Sequence, residues 1–453
     1  MDINTLHTKY QTTSHTPVDT VDAVYDRIRS DETNAWISVR EKDAVREACA
    51  RLQSPTEQPL YGVPFAIKDN IDSSVLPTTA GCPEYAYQPD DDATVVEMLR
   101  AAGGLLIGKT NMDQFATGLV GTRSPYGACR NVYNDDYISG GSSSGSAVAV
   151  ARNHVAFALG TDTAGSGRVP AAFNGLVGLK PTRGRLSTAG VVPACKTLDC
   201  VSIFTHTCQD ALLVASVAAG DDPADPYSRP FSELDAELGT TDLSSLTVGI
   251  PDAVGLEFFG DEAANALFSS AIELIESRAD AVERVDFSVF EETAELLYGG
   301  PWVAERLAAI ESFFETNPKA CHPVVREIIA RGETYSAVET FNAFYQLESL
   351  KAGCETLFGE QDLDLLVTPT TGTVYTVDEI REQPIERNST LGYYTDYVNL
   401  LDLAAISVPA GQFPEGPGFG LTLLGPAGTD RLLATVGDEL QAAMTVADPA
   451  AAD

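Results

Sequence analysis

The sequence predicts an α/β fold, a β-sheet with helices packed on it, and two observations carry that prediction. Short apolar runs alternate with segments of helical period along most of the chain. Three segments rich in glycine, serine or charge then stand where such runs end or where a helix begins: GVPFAIKDN (62–70), ISGGSSSGSA (138–147) and GTDTAGSGRVPA (160–171). Strand ends are where sheets of this class collect their ligands.

Taken in order, 19–52 has helical period, with Val21, Val24, Tyr25 and Ile28 on one face and charges on the other, which predicts a peripheral helical N-terminus over 1–55. GVPFAIK (62–68) reads as a strand, Val95 to Ala102 as a helix and GGLLIGK (103–109) as a second strand. Ser146 to Arg152 reads as a helix leaving a Gly/Ser loop, and HVAFALG (154–160) as a buried strand. The second half adds strands at LTVGIP (246–251), 282–285, DLLVTP (364–369) and 419–424, with helices at 262–278 and 430–443. The Asp-rich stretch 219–243 predicts a surface loop, and VADPAAAD at the end a frayed tail. No repeat or long linker divides the 453 residues, so they read as one domain.

Charge narrows the partners. With 65 acidic against 29 basic residues the formal net charge is −36, a field that repels phosphate backbones and anionic membranes and so excludes nucleic acid and membrane as direct partners. The same field repels itself. Concentrated salt relieves this, because the Debye length falls to about 3 Å at 1 M, so the composition points to a salt-rich cytoplasm and an acidic, halophilic proteome. Eight scattered cysteines without a CxxC pair read as free buried thiols, not as a disulfide framework or a zinc site. The start MDINTLHTKY has no apolar core of a signal peptide, and no apolar run approaches the ~18 residues of a membrane span. A soluble, cytoplasmic protein is expected, with no metal and no cofactor.

The three segments hold the inventory for acyl transfer without histidine. A serine attacking an amide needs a base, a proton path to the leaving nitrogen and donors for the oxyanion. Lysine can be that base only when neutral, and at its reference pKa only about one in 2,500 is neutral at pH 7. Lys68 closes the apolar run VPFAI, where burial beside hydroxyls would lower its pKa to about 7 to 8. Strand alternation turns the adjacent Asp69 to the opposite face. The run Gly140 to Gly145 delivers three hydroxyls, one of which can relay a proton. The small residues Thr163, Ala164, Gly165 and Ser166 let successive amides converge as an oxyanion hole. Arg168 reads as an anchor for that loop.

These segments resemble the amidase signature family over nearly the whole chain. The resemblance implies a large mixed twisted β-sheet covered by helices on both faces, with a signature core over 60–210 and the rest of the sheet and substrate-binding part over 245–443. It implies Ser166 as nucleophile, Ser142 as a serine after a cis peptide bond, and Lys68 as base, with 24 residues between the serines as in the family. It also implies Thr163 to Ser166 as the oxyanion loop and Ser144, Asp162 and Arg168 as supports. One departure is Ala164-Gly165 where many members have two glycines. AGSGRVPAAFNGLVGLKPTRG, FATGLVGTRSPYGACRN and VVPACKTLDCVSIF are similar to the allophanate hydrolase branch. That branch implies a small anionic substrate, with Tyr298 and Arg306 in LYGGPWVAER gripping its carboxylate, Gly118 and Gly121 lining the pocket, a homodimer, and a link to a urea carboxylase. An arginine fork suits a carboxylate.

Blander readings stand beside these. GSSSG (141–145) also fits the GxSxG nucleophile elbow, with Ser143 as nucleophile and His206 or His322 as base, but this leaves GTDTAGSGR unexplained. Without the resemblance, Tyr298 and Arg306 are a helix end and a surface arginine, and the cysteines, His154, His206 and His322 are structural. A general amidase on neutral amides, or the amidase-like subunit of a tRNA-dependent amidotransferase, are the competing functions. The charge itself makes a prediction: the melting temperature rises as KCl is added, measured by scanning calorimetry, and a flat or falling trend would remove the salt adaptation.

Overall fold

The apolar runs become strands of a single sheet in the computed structural model, which describes residues 1–360 and 362–444. Its eleven strands are β1 (Trp36–Val39), β2 (Pro64–Lys68), β3 (Leu105–Thr110), β4 (Phe157–Asp162), β5 (Val177–Lys180), β6 (Cys200–Thr205), β7 (Thr247–Pro251), β8 (Ala281–Val285), β9 (Leu365–Pro369), β10 (Ala404–Gln412) and β11 (Gly418–Gly425). They lie in the order β1-β3-β2-β4-β6-β5-β10-β11-β9-β7-β8. The sheet is mixed: β2 runs parallel to β3 and β4, and β7 parallel to β8 and β9, while the remaining pairs are antiparallel.

Period-two alternation sorts the side chains between two faces. Phe65, Ile67, Leu106, Phe157, Leu159, Val367 and Ile406 join one buried cluster with the helices Thr94–Ala101, Cys208–Ala218, Glu262–Glu276 and Asp430–Ala443. Ala66, Ile107 and Ala158 pack on the other face with the helix Ser144–Ala151, and Leu366, Ala405 and Leu424 with the helices Ser288–Gly299 and Ala337–Glu360. Phe65 and Phe157 stack across β2 and β4 with ring centroids 5.1 Å apart. Both faces are therefore covered, as expected. The centre of the sheet is dry enough to bury the end of β2, where Lys68 sits.

Several elements differ from expectation. The segment 19–52 is not helical throughout: Pro17–Arg29 and Lys42–Cys49 are helices, but Trp36–Val39 between them forms the edge strand β1, antiparallel to β3. Gly108 of β3 permits this close approach, since a Cβ there would lie 2.4 Å from the Ser38 carbonyl oxygen. HVAFALG starts its strand only at Phe157, and the helix expected from Ser146 begins at Ser144. β5, β6 and β10 go beyond the strands expected, as does the helix Trp302–Thr316. Residues 219–242 form no helix or strand, in line with a loop. The tail 446–453 lies outside the described residues. All eight cysteines are free, and among the described residues no helix is long and apolar enough to cross a membrane.

Candidate active site

Lys68 is fully buried at the end of β2. Its Nζ donates to Ser142 Oγ at 2.8 Å and to Thr161 Oγ1 at 2.7 Å. Burial drives its pKa down to about 7, against the pull of Asp113, Asp199 and Asp162 and with help from Arg306. Among the described residues no carboxylate hydrogen-bonds the amine, so no acid partner pins its proton in place. Asp69 does face elsewhere: it accepts from the Thr79 hydroxyl, the Thr79 amide at 3.2 Å and the Gly81 amide at 3.1 Å, with Lys109 at 3.8 Å.

Ser142 follows a cis Gly141–Ser142 peptide bond, and its carbonyl accepts from the Asp113 amide at 3.1 Å. Position 141 admits only glycine, because a Cβ would meet Asp113 Oδ2 at 2.1 Å. Ser143 is committed differently, donating to the Thr161 carbonyl at 3.0 Å and accepting from the Thr161 amide at 3.2 Å. It fastens the loop to β4, and its hydroxyl is engaged with the Thr161 backbone and not with a histidine among the described residues, which does not favour an elbow nucleophile. Ser144 donates weakly to the Asn111 carbonyl at 3.4 Å and opens the helix Ser144–Ala151.

Ser166 is 4% exposed, and its hydroxyl donates to the Gly118 carbonyl at a long 3.5 Å. Among the described residues Ser166 and Ser142 share no hydrogen bond. One amide of the expected oxyanion loop is occupied. The Gly165 amide is taken by Asp162 Oδ1 at 2.8 Å, which leaves the amides of Thr163, Ala164 and Ser166 without a protein acceptor among the described residues. The shortfall has a structural cause: Asp162 holds the loop, accepting also from the Gly167 amide at 3.1 Å and from Arg168 Nε and Nη2 at 2.9 and 3.0 Å. Burial of that carboxyl is outweighed by Arg168, which keeps its pKa low. Gly165 itself has φ +108°, and a Cβ would strike Thr395 Oγ1 at 2.4 Å.

Arg306 is buried, not a surface arginine, at 3% exposure. Its Nη2 donates to the Tyr298 hydroxyl at 3.1 Å, its guanidinium lies 5.1 Å from the Tyr298 ring centroid, and its Nη1 reaches the Ala116 carbonyl and Thr117 hydroxyl at 3.3 and 3.4 Å. Its Nε has no hydrogen-bond partner among the described residues. Ala116 and Thr117 precede Gly118, so the arginine braces the strip of chain that touches Ser166. Gly121 lies on that strip too, its amide donating to Asp113 Oδ2 at 3.0 Å.

Sequence reasoning missed four groups here. Asp113 accepts from the amides of Val120, Gly121 and Arg123. Asp199 accepts from Thr163 Oγ1 at 2.5 Å and from the amides of Ala194 and Cys195, its pKa pushed up to about 6 by burial. Thr161 shares Lys68, and Thr395 supports Ala164 and Gly165. An aspartate inside an otherwise small or apolar run, as in KTLDCV, was the available signal.

The Amidase family model matches residues 19–434. The chain belongs to the amidase family. Urea amidolyase of Saccharomyces cerevisiae is 45% identical over 406 residues, covering 88% of this chain and 22% of the relative, so the chain spans about a fifth of that protein's length. The solved allophanate hydrolase of Kluyveromyces lactis is 41% identical with a TM-score of 0.88, covering 96% of this chain and 71% of that one. A glutamyl-tRNA(Gln) amidotransferase subunit of Natronomonas pharaonis is 34% identical, covering 85% of this chain and 97% of the relative. Because the buried Asp162–Arg168 pair organises the loop, Arg168→Met leaves an uncompensated carboxylate and lowers unfolding free energy by about 3–5 kcal/mol. Urea denaturation measures this, and adding Asp162→Asn should recover a large part; no recovery would show that the pair is not the cause.

Proposed function

We propose that this chain hydrolyses allophanate, releasing ammonia and N-carboxycarbamate, through Lys68, Ser142 and Ser166. The carrying observation is the juxtaposition of a neutralisable lysine on a serine with a buried arginine, open at Nε, braced against the chain beside Ser166. Likeness to urea amidolyase and to allophanate hydrolase supports the same reading.

In this reading Arg306 and Tyr298 hold the substrate carboxylate, and Gly118 and Gly121 line the pocket. Ser166 turns its hydroxyl from the Gly118 carbonyl, held only at 3.5 Å, to Ser142. Neutral Lys68 takes the Ser142 proton while Ser142 takes that of Ser166, and Ser166 Oγ attacks the terminal amide carbonyl. The amides of Thr163, Ala164 and Ser166 stabilise the oxyanion. Protonated Lys68 returns its proton through Ser142 to the departing nitrogen, ammonia leaves, and water repeats the sequence against the acyl-enzyme. N-carboxycarbamate then breaks down to carbon dioxide and ammonia. Ser144, Asp162 and Arg168 keep the two loops in register. The chain acts as one amidase unit over 1–453, as a homodimer, in a salt-rich cytoplasm, downstream of a urea carboxylase activity.

A second reading, the amidase-like subunit of a tRNA-dependent amidotransferase, is favoured by the near-complete coverage of the Natronomonas relative; the higher identity to urea amidolyase and the net charge of −36 oppose it. Ammonia release from allophanate decides between them: wild-type protein should turn it over alone, and Ser166→Ala should abolish it, whereas undiminished turnover by that variant would sink the assignment. Arg306→Ala should raise KM for allophanate by tenfold or more, an expectation of about 1.5–3 kcal/mol for a hydrogen bond to a charged group; unchanged kinetics would break the pocket.

A further inference from the structure

A cavity of about 190 Å³ lies beside the Tyr298–Arg306 pair, lined from the helices Ser288–Gly299, Trp302–Thr316, Pro323–Ala330 and Glu386–Gly392. One water needs only ~15 Å³, so the space suits a small ligand. Its floor is buried: Val303 and Ile328 supply apolar surface, and Arg123 and Asn388 are buried polar groups. Arg331 and Ser389 stand at its exposed end. One wall is Tyr298, whose hydroxyl accepts from Arg306 Nη2 at 3.1 Å. The floor also grips the strip of chain at the nucleophile. Arg123 Nη1 donates to the Thr117 carbonyl at 2.9 Å, Asn388 Oδ1 accepts from the Leu119 amide at 2.8 Å, and Gly118 between them receives the Ser166 hydroxyl.

The charge of this lining runs against that of the chain. With 65 acidic residues against 29 basic ones, a cavity would be expected to meet carboxylates, yet among the described residues its walls carry two guanidiniums and no acid. Arg123 spends its guanidinium on carbonyls, those of Thr117 and Pro384, with Asp113 and Arg306 within its field. A buried guanidinium that bonds carbonyls instead of a carboxylate keeps a positive floor under the hollow, and such a hollow favours an anion. Arg331 Nη2 donates to Glu327 Oε1 at 2.9 Å, but both side chains are about half exposed, 47% and 59%. A pair of that kind is weak and exchanges partners readily.

We propose that this cavity is the entry chamber for the anionic substrate, with Arg331 at its exposed end drawing the anion in and Arg123 keeping the floor positive beside Tyr298. The inference rests on the reading of allophanate as substrate. It answers a difficulty which that reading creates, because an anion approaching a chain of net charge −36 is repelled, and a cation at the point of entry offsets that field over about a Debye length. From the chamber the anion is one side chain, Tyr298, away from Arg306.

The test is steady-state kinetics on allophanate in the full chain, with the charge at position 331 varied. Arg331→Gln should lower kcat/KM by about threefold and Arg331→Glu by about tenfold, with kcat within about twofold of wild type, and the losses should shrink in about 1 M KCl as screening sets in. Arg331→Lys keeps the charge and should restore kcat/KM to near the wild-type value. Glu327→Gln breaks the same ion pair but leaves the cation, so kcat/KM should stay level or rise; a fall equal to that of Arg331→Gln would mean that the pair acts only as structure, and overturns the inference. Ser389→Trp fills the exposed end of the cavity and should lower kcat/KM by about tenfold at an unchanged melting temperature, and the Arg331 series carries the comparison if that variant does not fold. Undiminished kcat/KM in Arg331→Glu or in folded Ser389→Trp overturns the inference while leaving the substrate reading intact. Wild-type protein inactive on allophanate overturns both.

Discussion

An amine sealed from water without a carboxylate in hydrogen-bonding reach is the constraint on which this site rests. Burial alone would make Lys68 useless if an acid paired with it, because the pair would hold the proton in place. The structure avoids this by giving the amine two hydroxyls, Ser142 and Thr161, and by keeping three aspartates near enough to temper its pKa but fully occupied with other donors. Asp113 gathers the amides of Val120, Gly121 and Arg123, Asp162 those of the loop bearing Ser166, and Asp199 the Thr163 hydroxyl. The carboxylates thus act as fasteners for backbone, and their charge is spent on amides and on Arg168 instead of on the lysine.

The pattern clarifies why the site is built from loops at strand ends. A strand delivers Lys68 into a dry interior, but only irregular backbone can leave amides free to meet a developing charge. Such backbone must be held by something, and here side-chain carboxylates do so. The cost is a loop whose amides are partly used for holding, as the Gly165 amide is by Asp162. What remains without a protein acceptor among the described residues is the amides of Thr163, Ala164 and Ser166.

How much of this was legible in the sequence depended on range. Lys68 and Ser166 stand in short segments whose composition draws notice, the choice of Ser142 among three adjacent serines came only through family resemblance, and alternation placed Asp69 away from Lys68. Strands with clean apolar runs, such as 64–68 and 365–369, were also plain. β1 was hidden because four residues between two amphipathic helices carry too little periodicity, and only the glycine at 108 hints that another backbone lies there. β6 and β10 were masked by polar or small residues within them, Ser202 and Ser407, which are buried all the same. Asp113, Asp199 and Thr395 had no local signature, because what makes them matter is the backbone they meet after folding. Tyr298 and Arg306 became readable only through family resemblance, and the burial of Arg306 beside the half-buried Tyr298 is a property of the tertiary structure.

The segment after α-helical residues 386–392 has a temporal side. Asn399 donates to the Asp162 and Leu198 carbonyls at 2.8 and 2.9 Å, and Thr395 braces Ala164. The loop bearing Ser166 is therefore locked by chain more than two hundred residues downstream. Contacts of such separation form late and at high entropic cost. A growing chain carries Lys68, Ser142 and Ser166 more than two hundred residues before it carries Thr395 and Asn399, so the loop bearing Ser166 goes without its brace until that downstream segment has been made.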